Sequence, residues 1–149
     1  MPSSAPTQAD EYAIADTIDR MLLWARRKAP THLSATSITT LDTLSHEGPL
    51  RISDLAGREG VSQPGMTTLV NRLADEGLAE RFADPTDGRA ILVRITDAGR
   101  SVLAARHRAR TEAVLADIQR LSAEHRADLA AALDALNQLC ATTDRGTTR

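Results

Sequence analysis

Between Leu55 and Leu73 two helical patterns lie so close together that only Gly60-Val61-Ser62 separates them. The first pattern turns Leu55 and Ala56 inward. The second turns in Met66, Leu69, Val70, Leu73 and Ala74. The punctuation agrees with this reading. Gly60 supplies a left-handed helix end, and Ser62 has the short hydroxyl of an N-cap. Pro64 is tolerated in the first turn, where its missing N–H would find no partner anyway. Val61 and Met66 are spaced as a hydrophobic staple across the cap. Small Ala56 permits close approach of the two helices, and Met66 with Leu69 closes the wedge between them.

Two helices on so short a turn make a helix-turn-helix. Its second helix carries Pro64, Thr67, Thr68, Asn71 and Asp75 at helical spacing on the outward face, with Gln63 in the first turn. These short side chains allow close approach to a groove floor, and their hydroxyls and amides suit base edges or phosphates. Taken alone, the pattern fits a small helical domain with a polar face equally well. A hairpin pattern directly after the second helix shifts the balance. Leu78–Ala83 and Ala90–Ile95 read as its two β-strands, with Ile91, Val93 and Ile95 alternating against Leu92 and Arg94. The turn formers Asp84 to Arg89 join the strands. A wing tipped by Arg89 reaches an adjacent minor groove, where narrow segments attract arginine.

The rest of the chain is helical in pattern. Aromatic residues are only 2% of 149, namely Tyr12, Trp24 and Phe82. A core without rings must be built from Leu, Ile, Val and Ala. One helix is expected from about Asp10 to Ala29, stopped by Pro30. Another is capped by Ser34, carries Ile38, Leu41 and Leu44, and ends at Gly48-Pro49. The first helix of the helix-turn-helix is capped by Ser53. Thr96 caps a long helix from Asp97 to Leu121, and a last one runs from Ala123 to Cys140, burying Leu129, Leu133, Leu136 and Leu139. The fold expected is mainly α with a small β-hairpin wing. Residues 34–96 form the winged helix-turn-helix lobe. Residues 10–33 and 97–141 form a helical dimerisation region, and 1–9 and 142–149 are disordered tails. Both terminal elements carry more apolar surface than one small domain buries alone, which predicts a homodimer. No apolar run approaches the roughly 20 residues of a membrane span, and no signal peptide is visible, so the cytoplasm is the expected compartment.

Other groupings carry less. Asp84 and Asp87 sit in what reads as a mobile turn, without a histidine or an apolar pocket, so no catalytic residue is expected. Asp87 is expected to pair with an arginine and fix the wing tip. His32, His46, His107 and His125 are scattered without ligand spacing, so neither a metal nor another cofactor is expected. Cys140 has no basic neighbour in sequence and reads as a buried, inert thiol. Arg100, Arg106, Arg108 and Arg110 form a solvated face, or a positive field above DNA or at an effector pocket. Residues 51–100 hold seven arginines against eight acids, and the whole chain has a net charge of −2. That balance supports the alternative of a winged-helix protein-interaction module without DNA binding. An enzyme is the weakest reading.

The run Leu55-Ala56, Val61-Ser62, Thr67-Thr68-Leu69-Val70-Asn71-Arg72-Leu73, Gly77-Leu78, Arg81, Asp84-Pro85, Asp87-Gly88-Arg89, Ile95-Thr96 and Gly99 resembles the MarR family of bacterial regulators, in order and at family spacing. The resemblance covers about residues 10–141. It implies a dimer built from the first and last helices, and a ligand-responsive repressor that binds a palindromic operator in double-stranded DNA. DNA contacts are then expected from Ser62, Gln63, Thr67, Thr68, Asn71, Arg72, Arg81, Asp87 and Arg89. Thr67, Thr68 and Asn71 would face the major groove and Arg72 a phosphate. The resemblance also places an effector cleft among the first, second and fifth helices, with Met21, Trp24, Ile38 and Arg106 around a small aromatic or apolar ligand. Two departures stand out. Gly88 occupies a position where many members have arginine, and Pro64-Gly65 is an unusual opening for a recognition helix.

Overall fold

The computed structural model describes residues 5–29 and 31–141. The chain divides into two compact units, Met1–Arg110 and Thr111–Arg149. The first unit contains α1 (Gln8–Arg27), α2 (Ala35–Glu47), β1 (Leu50–Arg51), α3 (Ile52–Glu59), α4 (Gln63–Asp75), β2 (Ala79–Ala83) and β3 (Ile91–Ile95). It also holds most of α5 (Asp97–Ile118), whose last turns belong to the second unit together with α6 (Ala123–Ala131) and α7 (Leu133–Ala141). Among the described residues no helix is long and apolar enough to cross a membrane.

The caps explain where helices begin and where expectation slipped. α1 starts two residues before Asp10, so Gln8 and Ala9 are helical rather than part of a tail. Thr7 caps it. Its Oγ1 accepts from the Asp10 amide at 3.3 Å, while the Asp10 carboxylate accepts from the Thr7 amide at 2.9 Å. The Thr7 hydroxyl, which donates to the Asp10 carboxylate at 2.6 Å, and after it the Thr7 amide hold the Asp10 carboxyl below the usual carboxylate range. α1 ends at Arg27, ahead of Ala29. Pro30 and the expected 142–149 tail lie outside the described residues. Ser34 and Ser62 cap α2 and α4 as expected, and Gly60 is left-handed at φ 63°. Ser53 does not cap α3. Arg51 stands at that position with no side-chain cap bond, because Leu50 and Arg51 are already committed to a strand.

That strand makes the hairpin a three-stranded antiparallel sheet in the order β1-β3-β2. Leu50 pairs with Val93 and Arg51 with Leu92, while Ala79 to Ala83 run against Ile95 to Ile91. The strands begin one residue later than expected, at Ala79 and Ile91. Leu41, Leu44, Leu55, Met66, Val70, Leu73 and Val93 are fully buried beneath this sheet and between α2, α3 and α4. α5 is fastened directly to the hairpin. Thr96 accepts from the Gly99 amide at 3.1 Å and donates to the Gly77 carbonyl at 2.7 Å. A Cβ on Gly99 would run into the Leu78 carbonyl and lie 2.7 Å from the Ile95 side chain, so only glycine fits that crossing.

The second unit corrects four expectations. α5 stops at Ile118, short of Leu121. The single last helix is two, parted at Ala132, which keeps φ −82° and ψ −7° while the Leu136 amide still reaches its carbonyl at 3.0 Å. Leu129, Leu133, Leu136 and Leu139 are not buried within the chain; they are 39%, 57%, 37% and 52% exposed. Cys140 is likewise exposed rather than buried.

Candidate nucleic-acid interface

α4 separates its two faces sharply. Met66, Val70 and Leu73 are wholly buried, whereas Gln63, Pro64, Thr68, Asn71, Arg72 and Asp75 are exposed. Ser62 serves first as the cap, accepting from the Gly65 amide at 3.3 Å. Thr67 and Thr68 donate their hydroxyls backward to the Gln63 and Pro64 carbonyls at 2.9 and 3.1 Å. Their oxygen lone pairs and methyl groups remain for a ligand. Arg81, on β2, donates to the Asn71 Oδ1 at 2.6 Å. That bond joins the sheet to the outward face of α4. Arg72 is engaged elsewhere. It donates to buried Ser37 of α2 at 3.1 Å, and its Nε lies 3.5 Å from Glu76.

The wing is ordered by a residue outside it. Arg51 Nη2 lies 3.2 Å from Asp84 Oδ2 and 3.4 Å from Asp87 Oδ2. The Thr86 amide and hydroxyl donate to Asp84 Oδ1 at 2.9 and 2.7 Å. Those two bonds, with the Arg51 guanidinium behind them, pull the Asp84 carboxyl down to about 2. Asp84 is therefore a buried, fully engaged group, not a side chain in a mobile turn. Asp87 pairs with an arginine as expected, and its Oδ1 accepts from the Arg89 amide at 3.3 Å. Arg89 is exposed at the tip. Gly88 is not in the left-handed region, and a side chain there would meet open space, so its backbone does not require glycine. Sequence reasoning missed Arg51, because a two-residue strand carries no periodicity and the carboxylates it holds are 33 and 36 residues away.

The four expected effector residues divide between two places. Ile38 and Arg106 line a cleft of about 420 Å³ with Arg26, Leu33, Thr39 and Arg110. Arg106 donates across it to the Ala29 carbonyl. Met21 and Trp24 instead line a shallow groove along α1 with Thr17, Arg20 and Arg27. The Lys28 ammonium sits 5.0 Å from the Trp24 ring centroid. Among the described residues no group of three His, Cys, Asp or Glu side chains is placed to hold a metal.

Comparison with known proteins agrees with this architecture. The MarR family profile matches residues 33–91. The HTH-type transcriptional regulator ML2140 of Mycobacterium leprae is 32% identical over 93% of this chain and 96% of its own. The HTH-type transcriptional repressor NicR of Pseudomonas putida is 26% identical over 68% of this chain and 70% of its own. Among solved structures, the transcriptional regulator Tm0710 of Thermotoga maritima superposes with a TM-score of 0.77 at 22% identity, over 93% of this chain and 99% of that one. A MepR mutant of S. aureus, solved bound to an oligodeoxyribonucleotide, has a TM-score of 0.64 at 21% identity, over 87% and 96% of the two chains. At such identities the superpositions show the winged-helix fold alone. The near full-length identity to ML2140 and the profile match show more: this chain belongs to the MarR family of transcriptional regulators, and is a regulator rather than an enzyme.

Proposed function

We propose that the chain reads a palindromic operator as a homodimer, with α4 in the major groove and the wing in the flanking minor groove, and that it represses transcription until a small apolar or aromatic effector binds. The observation that carries the DNA reading is the Arg81–Asn71 bond, which joins the exposed face of α4 and the wing sheet into one polar surface. Ser62, Gln63, Thr67, Thr68, Asn71, Arg81 and Arg89 are the contacts assigned to it. Arg72 joins them by exchanging Glu76 for a phosphate, and Asp87 acts by orienting the tip.

The acid excess of the lobe, nine acids against six arginines over residues 34–96, does not oppose this reading, because much of it is paired within the chain. Glu76 is held by Arg72, Glu80 by Arg94, and Asp84 and Asp87 together by Arg51. Arg81 and Arg89 stay exposed on the proposed surface and supply its positive charge. MepR, which shares the fold, binds an oligodeoxyribonucleotide, and NicR is a repressor; both support the proposal by likeness.

Exposed apolar side chains support the dimer. On α1 these are Tyr12, Ile14, Met21, Leu22 and Leu23, and on α7 Leu133, Leu136 and Leu139. The effector site assigned is the Ile38–Arg106 cleft. Selection of bound duplexes from genomic fragments tests the whole proposal. It should return a two-fold symmetric consensus, and affinity for it should fall steeply with salt. Binding to no fragment at low salt would transfer the surface to a protein partner.

A further inference from the structure

We propose that Arg51 is a positioning residue for the wing: through Asp84 and Asp87 it sets where Arg89 meets DNA. The inference rests on the proposed DNA binding. It starts from the topology of the sheet. β1 is two residues long, yet it pairs with β3 through Leu50–Val93 and Arg51–Leu92. That pairing fixes the Arg51 backbone beside the strand that returns from the wing tip.

From there one nitrogen, Nη2, reaches a carboxylate at each end of the turn. At the near end Asp84 is buried, and its other oxygen is taken by the Thr86 amide and hydroxyl. At the far end Asp87 stays half-exposed, and its other oxygen takes the Arg89 amide. The Asp84 amide also reaches the Ala90 carbonyl at 2.9 Å, and the Ala90 amide reaches the Asp87 carbonyl at 2.8 Å. A continuous chain of bonds therefore runs from Arg51 through Asp87 to the backbone of Arg89.

The physical consequence concerns entropy more than charge. A seven-residue hairpin loop with an exposed tip samples many conformations, and each must be lost when the tip enters a groove. A loop tied at its first residue and at its middle from a neighbouring strand has lost many of them beforehand. Arg51 itself keeps a half-exposed side chain whose guanidinium is turned to the two carboxylates. Its role is thus to hold the turn that carries Arg89.

A double-mutant cycle separates this role from a direct contact or a general fold defect. The probe is the duplex most enriched by the wild-type chain from genomic fragments. Wild type, Arg51→Ala, Arg89→Ala and the double variant are titrated with it, and thermal melting is recorded for each. Arg89→Ala should weaken binding about 10- to 100-fold, as loss of a charged contact does. Arg51→Ala should weaken it by a smaller factor in the wild-type background and by none in the Arg89→Ala background. Arg51→Lys, whose ammonium can still sit between the two carboxylates, should restore most of the affinity. Asp87→Ala cuts the same chain from the other side and should show the same non-additivity with Arg89→Ala, which keeps the test decisive if Arg51→Ala folds poorly. Losses that multiply in the double variant, or no loss in Arg51→Ala, overturn the inference while leaving DNA binding intact. If the wild type enriches no duplex, the DNA-binding reading fails and takes the inference with it.

Discussion

α4 and α7 are written in much the same way, with leucines and other apolar residues returning every three or four positions, yet they end in opposite environments. Met66, Val70 and Leu73 of α4 are completely buried, while Leu133, Leu136 and Leu139 of α7 are 57%, 37% and 52% exposed. α4 meets α2, α3 and the sheet within its own lobe. α7 belongs to a unit of helices alone, where the apolar stripe finds too little surface to cover it. Periodicity thus specifies that a face needs a partner. It does not say whether the same chain provides one. At about 25 cal/mol per Å² of apolar area, leaving such a stripe in water is unfavourable enough to drive association.

The comparison can be broken outright at α7. Leu136→Asp should dissociate a dimer, since a charge placed in a buried interface costs about 3–5 kcal/mol. Sedimentation at micromolar concentration should show the variant as a monomer and the wild type as a dimer. A wild-type monomer would remove the need for any partner. Leu73→Ala sharpens the other side. It opens a cavity in a sealed core and should cost about 2–5 kcal/mol, read as a lowering of the melting temperature below wild type that is the same at every protein concentration. By contrast, the wild-type melting temperature should rise with protein concentration, as a dimer's does, and that of Leu136→Asp should not.

A smaller effect is expected where α5 crosses the hairpin. Gly99→Ala puts a methyl group against the Leu78 carbonyl and the Ile95 side chain. Overpacking of this kind costs about 1–3 kcal/mol. Chemical denaturation should show the loss in the lobe, and an unchanged midpoint would mean the crossing relaxes freely. The smallest effect is acid-dependent. The Asp84 carboxyl falls from an ordinary value of 3.8 to about 2 in the folded chain. A lowered folded value means its stabilisation is complete above the unfolded value and disappears as pH falls from near 4 through about 2. Asp84→Asn should flatten the stability-versus-pH curve within that window alone. An unaltered curve would show that Thr86 and Arg51 do not favour the charged form.

Of the candidate interface, much was legible from local chemistry. Ser34, Ser62 and Thr96 cap the helices they precede, and the polar face of α4 is outward as its spacing required. Asp87 finds an arginine, although which arginine was not legible. The expected effector set was only half coherent. Ile38 and Arg106 share a cleft, but Met21 and Trp24 lie on another surface, because helical spacing does not report how α1 is rotated.

Local sequence specifies the elements whose signals lie within a few residues: the turn at Gly60-Val61-Ser62, the hairpin around Asp84 to Arg89, and the apolar faces of the helices. Caps, turns and periodicities act over one or two turns of chain, so they can be read in place. Only the tertiary structure decided the pairing of β1 with β3, the grip of Arg51 on Asp84 and Asp87, the tie from Arg72 to Ser37, and the closeness that admits only glycine at position 99. Each joins residues far apart in the chain. Such contacts depend on how whole elements pack, and packing is settled by the sum of many side chains rather than by any one stretch.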